Sequence, residues 1–306
     1  MSTFHNPVLL KELRSRMRGA RAFVVLTAFL LVLAVFTLLL YAVARQRVGS
    51  DPLNAGRSIG KALFLGVAAV ALVQVMIIVP AQAAGAIAGE KEHETYDLLL
   101  ATVLPAWEIV LGKLLAALAY AVLLIVAVVP FMALAFLFGG VTATEVLIAL
   151  LGLLATALLY GSVGIVWSVV SRRTITATVL TQATNVLMLL GIPFLIFPFG
   201  SLFLFGTPQL PTWFGFASYP FIYGTGWLLA LHPFIALGGA EYVLSSGDTR
   251  WFVPMPGTLQ AGHQIWIPTP WLAFVLMAVL ASALLLTVAT HLVRPVPRNR
   301  KLPSIK

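Results

Sequence analysis

The 306-residue sequence contains no cysteine. Disulfides, thiolate metal sites and cysteine nucleophiles are therefore excluded, and cysteine usage says nothing about the redox compartment. Charge is also scarce, at 9% of residues. No complete nucleotide-binding loop is present. Ala55 to Ala62 comes close, but it lacks the first glycine and the final Ser or Thr of a phosphate loop. His93-Glu94 begins a zinc-protease pattern, yet position 97 is Asp rather than His.

What fills the chain instead is apolar: 60% hydrophobic residues and a mean hydropathy of +1.01. That composition predicts an all-α integral membrane protein. The net charge of +9 does not point to nucleic acid. The basic residues gather at span ends and chain termini, where the positive-inside rule and anionic head groups place them.

Asn6-Pro7 reads as a helix cap and first helical residue. Over residues 6–21 Leu9, Leu10, Leu13, Met17 and Ala20 share one helical arc, while Lys11, Arg14, Arg18 and Arg21 share the other. This predicts a single amphipathic helix in the head-group plane. The alternative, the charged region of a signal peptide ending near Ala42-Val43-Ala44, fits less well because the following apolar run is too long. Six spans are expected, over residues 22–44, 62–84, 110–138, 145–170, 176–199 and 271–293. Arg45 to Lys61 reads as a polar loop. Residues 200–270 are rich in Pro, Gly and aromatics, with apolar runs too short to cross, and read as an extracytoplasmic segment of re-entrant or interfacial helices. Fourteen of the nineteen basic residues fall on the side of both termini, which places those termini in the cytoplasm of a cell-membrane protein.

The densest charge lies between the second and third spans, from Ala88 to Leu100. Ionised side chains there must leave the lipid, so residues 88–105 are expected to be a cytoplasmic helical hairpin. Glu90, Glu94 and Asp97 recur at i, i+4 and i+7, which would put three carboxylates on one helical face. Gly85 and Gly89 are spaced for close helix packing just before it. Gln74, Gln82, Gln182 and Asn185 are polar groups inside spans and are candidates either for lining a substrate path or for interhelical hydrogen bonds. Ser162, in Gly161-Ser162-Val163-Gly164, and His291 raise an intramembrane serine protease as an alternative, against a reading in which small residues merely let helices approach. An ion-coupled carrier is disfavoured because the spans hold almost no carboxylates.

Gly89 to Leu115 resembles the permease subunit of ATP-binding-cassette transporters of the type-2 exporter class. The residues that carry the likeness are Glu90-Lys91-Glu92, Thr95, Leu98-Leu99, Pro105 and Ile109-Val110-Leu111-Gly112-Lys113, with Asn6-Pro7 and Lys11-Glu12-Leu13-Arg14 at the start. Ala106-Trp107 departs from the small polar cap usual after the proline. The resemblance implies a non-enzymatic permease that couples to a separate ATPase through Glu90, Glu94, Asp97, Thr95, Leu98 and Leu99. It implies that this chain binds no cofactor, that ATP and Mg act on the ATPase partner, and that a second permease protomer, identical or different, completes the path.

Overall fold

The computed structural model describes residues 20–47, 55–100, 104–200, 224, 226–245, 250–255 and 265–293. The expected interfacial helix lies outside them except for its last two residues, as do residues 201–223 of the expected re-entrant segment. The described elements are α1 (Ala20–Arg47), α2 (Ala55–Glu92), α3 (Tyr96–Leu100), α4 (Ala106–Phe138), α5 (Ala143–Val170), α6 (Thr174–Gly200), α7 (Pro233–Ser245), β1 (Phe252–Met255), β2 (Ile265–Pro268) and α8 (Pro270–Leu292). Six of the helices are long and apolar enough to cross a membrane: α1, α2, α4, α5, α6 and α8. The fold is an all-α membrane bundle carrying one short antiparallel hairpin, β1–β2, in which Phe252 faces Pro268 and Met255 faces Ile265.

Helices run this long because lipid offers no partner for a free backbone N–H or C=O, so each span must bond within itself. At 1.5 Å per residue, the 38 residues of α2 extend about 57 Å. The hydrocarbon core is only about 30 Å thick. The helix is therefore longer than one crossing requires, it extends beyond the expected span of 62–84 at both ends, and residues 55–61 are helix rather than loop. The near-match to a phosphate loop is thus the first two turns of α2 and cannot cradle a phosphate.

Helix α2 is the centre of the bundle and packs on α1, α4, α5 and α6. Its small residues make this possible: Ala68, Ala71, Ala83, Ala84 and Ala88 are buried. At Gly164 of α5 a Cβ would stand 2.6 Å from the Pro80 carbonyl oxygen, so only glycine permits this approach. At Gly161 the nearest atoms would be 3.5 Å away, an ordinary contact. Phe23, Leu31 and Leu38 on α1 are apolar side chains that the bundle leaves exposed.

Helix α4 stops at Gly139-Gly140, whose φ values of 87° and 80° suit glycine. Helix α5 starts with a capping box. Glu145 N–H donates to Thr142 Oγ1 at 3.2 Å, and Thr142 N–H donates to Glu145 Oε2 at 2.8 Å.

Candidate functional site: the charged turn

The charged stretch does not form one helical face. Helix α2 ends at Glu92, His93 and Glu94 form a turn, and α3 begins at Tyr96. Glu94 sits at φ 58°, a left-handed conformation that stops the helix without a glycine. Thr95 N–H donates to the Glu90 carbonyl at 2.9 Å, and His93 N–H to that of Gly89 at 3.0 Å. Glu90, Glu94 and Asp97 therefore lie on a helix end, a turn and a new helix, and the expectation of a shared face is corrected: a chain reversal replaces the regular period on which it relied.

The reversal divides the candidate residues into two sets. Glu90 is turned inward. Its Oε1 lies 3.0 Å from Lys113 Nζ, and that lysine side chain is 2% exposed. The Thr95 hydroxyl donates to its other oxygen, Oε2. One carboxylate thus joins α2, the turn and the first turns of α4. Lys91 reaches α5, where its ammonium donates to the Val169 carbonyl, and it also lies 5.1 Å from the centre of the Tyr96 ring. Burial raises the pKa of the Tyr96 phenol. Glu92 Oε2 accepts the Thr174 N–H at 2.9 Å and so caps α6. Ser168 Oγ accepts two main-chain N–H groups of α2, from Ile87 at 2.8 Å and Ala88 at 2.9 Å. Gly85 and Gly89 pack near Thr174, with Cβ positions 3.4 and 3.7 Å from its side chain.

Glu94, Asp97 and Leu98 form the other set and are exposed, Leu98 by 70%. His93, Trp107, Arg172 and Arg173 are also exposed. The side chain of Leu99 lies outside the described residues. The result is a short, water-facing turn with two carboxylates and one bare leucine, fastened to the ends of four long helices by internal bonds. Sequence reasoning named Lys113 within the motif but not its pairing with Glu90, and it missed Val169 under Lys91, Ser168 under α2 and Thr174 on Glu92. Only a tertiary arrangement brings them together.

The four polar span residues sit at helix contacts. Gln74 Nε2 donates to the Phe29 carbonyl at 3.3 Å, joining α2 to α1. Gln182 Nε2 donates to the Ile77 carbonyl at 2.7 Å, joining α6 to α2. Asn185 donates to Gln182 Oε1 at 3.3 Å. Gln82 bonds the Tyr120 side chain. Each bond is of the interhelical or local kind. Gln74 Oε1 and Asn185 Oδ1 are buried without a hydrogen-bond partner.

Ser162 is fully buried, and its hydroxyl donates to the Leu158 carbonyl at 2.7 Å, the back-bond common for serine in helices. His291 is exposed on α8. This is the geometry of packing rather than of an activated nucleophile. Among the described residues no three His, Asp or Glu side chains group as a metal site.

Residues 48–289 match the family model described as ABC-2 family transporter protein. No curated protein matches the chain.

Proposed function

Since the chain belongs to the ABC-2 family of transporter proteins, whose members are membrane permeases of ATP-binding-cassette transporters, we propose that it works as an exporter subunit driven through the charged turn. The turn meets a separate ATPase that carries ATP and Mg. Two permease protomers face each other around the substrate path, and closure of the ATPases rocks them between inward- and outward-open states. On this reading both termini and the turn are cytoplasmic, and ATP hydrolysis belongs to the partner.

The observation that carries the reading is the division of labour within the turn. Glu90, Lys91 and Glu92 are engaged with α4, α5 and α6, whereas Glu94, Asp97 and Leu98 face water. A solvated loop has no need of such fastening. A lever does, because force on the turn must reach the spans without being lost in loop motion. In this proposal Gln74, Gln82, Gln182 and Asn185 line the path, although the first three already bond across helices.

The experiment is co-purification of the tagged permease from its own cells, with any ABC ATPase that accompanies it identified and quantified. Glu94→Lys with Asp97→Lys, and separately Leu98→Asp, should insert normally and lose the ATPase, because rim charges and exposed apolar anchors set partner choice. If both variants retain the ATPase and its transport-coupled hydrolysis, the turn is not the docking element.

A further inference from the structure

Helix α8 reaches the end of the bundle that carries the charged turn through its last residues, since Ala289 and Val293 pack with Ile87 and Val110. Its first residue, Pro270, therefore lies at the far end, and β2 stops just before it at Pro268. The 23 residues of α8 extend about 35 Å, little more than the hydrocarbon core of about 30 Å. A single crossing uses nearly the whole helix, which puts Pro270 at the level of the head groups. The β1–β2 hairpin cannot rise far from that level. Thr269 N–H donates to the Trp251 carbonyl at 2.9 Å, and the Trp251 and Trp271 rings meet edge to face with centres 6.3 Å apart. Strand β1 is thus folded back beside the first turn of α8. Between Trp266 and Pro270 there is at most about 14 Å of extended chain.

All the strand residues are apolar: Phe252-Val253-Pro254-Met255 and Ile265-Trp266-Ile267-Pro268. The register, with Phe252 opposite Pro268 and Pro254 opposite Trp266, puts Phe252 and Trp266 on one face as diagonal neighbours. Both are bare, at 51% and 50% exposed, and Trp251 beside them is 65% exposed. Two isolated strands without a polar side chain have little to hold them in water. We propose that this aromatic face lies in the head-group layer of the bilayer, and that the hairpin anchors the end of α8 there. Indole rings favour that layer, where the ring body meets acyl chains and the N–H meets water. An added strand from another chain is a poorer occupant, because Pro254 and Pro268 have no N–H to give it. The inference rests on α8 crossing the membrane and needs neither an ATPase nor a direction of transport.

The test uses the full chain in liposomes. The native chain has no cysteine, so Phe252→Cys and Trp266→Cys each place one nitroxide label on the face. Both labels should collide more often with oxygen than with a water-soluble nickel chelate, and should lie roughly 5–10 Å below the lipid phosphates on a scale set by spin-labelled lipids. Greater access to nickel than to oxygen would put the face in water and overturn the proposal. Labels shielded from both reagents, or broadened by a neighbouring nitroxide, would overturn it too, since a protein partner or a second copy would then cover the face. A second measurement keeps aromatic rings in place. Trp251→Phe with Trp266→Phe removes two of the seven tryptophans. The share of tryptophan fluorescence quenched by lipids brominated near the head of the acyl chain should then fall. An unchanged or larger share would mean that these two rings do not meet lipid, and the anchor would be lost.

Discussion

Glu90 and Lys113 meet at 3.0 Å across the gap between α2 and α4, with the lysine side chain 2% exposed and the glutamate side chain 22% exposed. The pair is asymmetric: the cation is fully committed to the protein, while the anion stands at the edge of water. Glu90 also holds Thr95, so this one contact fixes where α2 ends and how the turn leaves it.

The asymmetry sets the expected order of damage. Glu90→Gln removes the carboxylate that lies 3.0 Å from the buried ammonium and should destabilise by about 3 kcal/mol, the low end for breaking a buried pair because Glu90 is partly wet. Lys113→Met leaves the anion near solvent and should cost less. The double variant should be more stable than the sum of the two singles implies. Thermal unfolding in detergent, followed by loss of monodispersity, measures all three. Strict additivity would mean that the contact does not couple α2 to α4.

Ser168 provides a second fastening that can be tested separately. Its Oγ is the shared acceptor for Ile87 and Ala88 N–H, and the residue is fully buried. Ser168→Ala should destabilise by about 1–3 kcal/mol, because it removes the acceptor from buried donors. Amide exchange at Ile87 and Ala88 should accelerate, while exchange near Gln74 stays unchanged. Unaltered exchange at both amides would mean that they are satisfied within α2 alone.

The sequence revealed the bundle more fully than the site. Six apolar runs are hard to read otherwise, because only helices can cross lipid as open segments. The ends were less legible. Hydropathy registers only the part of α2 inside the membrane, whereas its outer turns are held by Lys113, Val169 and Ser168, and these contacts have no periodic signature. The reversal at His93-Glu94 carries no glycine or proline, so extending the helical period through it was the natural error. Thr142 and Glu145 spell a capping box that sequence alone can show. The β1–β2 hairpin was harder, because its two four-residue strands are pinned by Thr269 N–H on the Trp251 carbonyl at 2.9 Å, a contact between distant positions.

His232 gives a dependence on pH. Its Nδ1 accepts the Ile235 N–H at 3.2 Å, and its Nε2 lies 2.9 Å from the Leu189 carbonyl. Together these fix a neutral ring, with the proton on Nε2, that caps α7 and ties it to α6. Burial lowers its pKa below the usual value, outweighing the bonds that raise it. A histidine whose folded pKa is depressed contributes stability that is present above its unfolded pKa and is lost as pH falls through the folded one. The protection factor of the Ile235 amide, taken relative to the intrinsic exchange rate at each pH, should therefore be high at neutral pH and fall under mild acid. His232→Asn, which keeps a capping oxygen and does not titrate, should flatten the profile. A profile unchanged by that substitution would assign the acid effect to another group.

The absence of cysteine makes orientation directly measurable. Membrane-impermeant maleimide has nothing to label in the native chain. Glu94→Cys and Ser245→Cys each add one exposed thiol, on the charged turn and at the end of α7 respectively. The fourteen-to-five division of basic residues puts the first inside and the second outside. Intact cells should label Ser245→Cys alone, and inverted vesicles Glu94→Cys alone. The neighbouring ends of α1 and α2, with Arg45, Arg47, Arg57 and Lys61, oppose this division, but Lys61 is paired with Glu241 at 2.8 Å, which reduces its weight. The reverse labelling pattern would put the turn on the side where no ATPase has access to ATP. The docking reading would then fall even if every bond around Glu90 is as described.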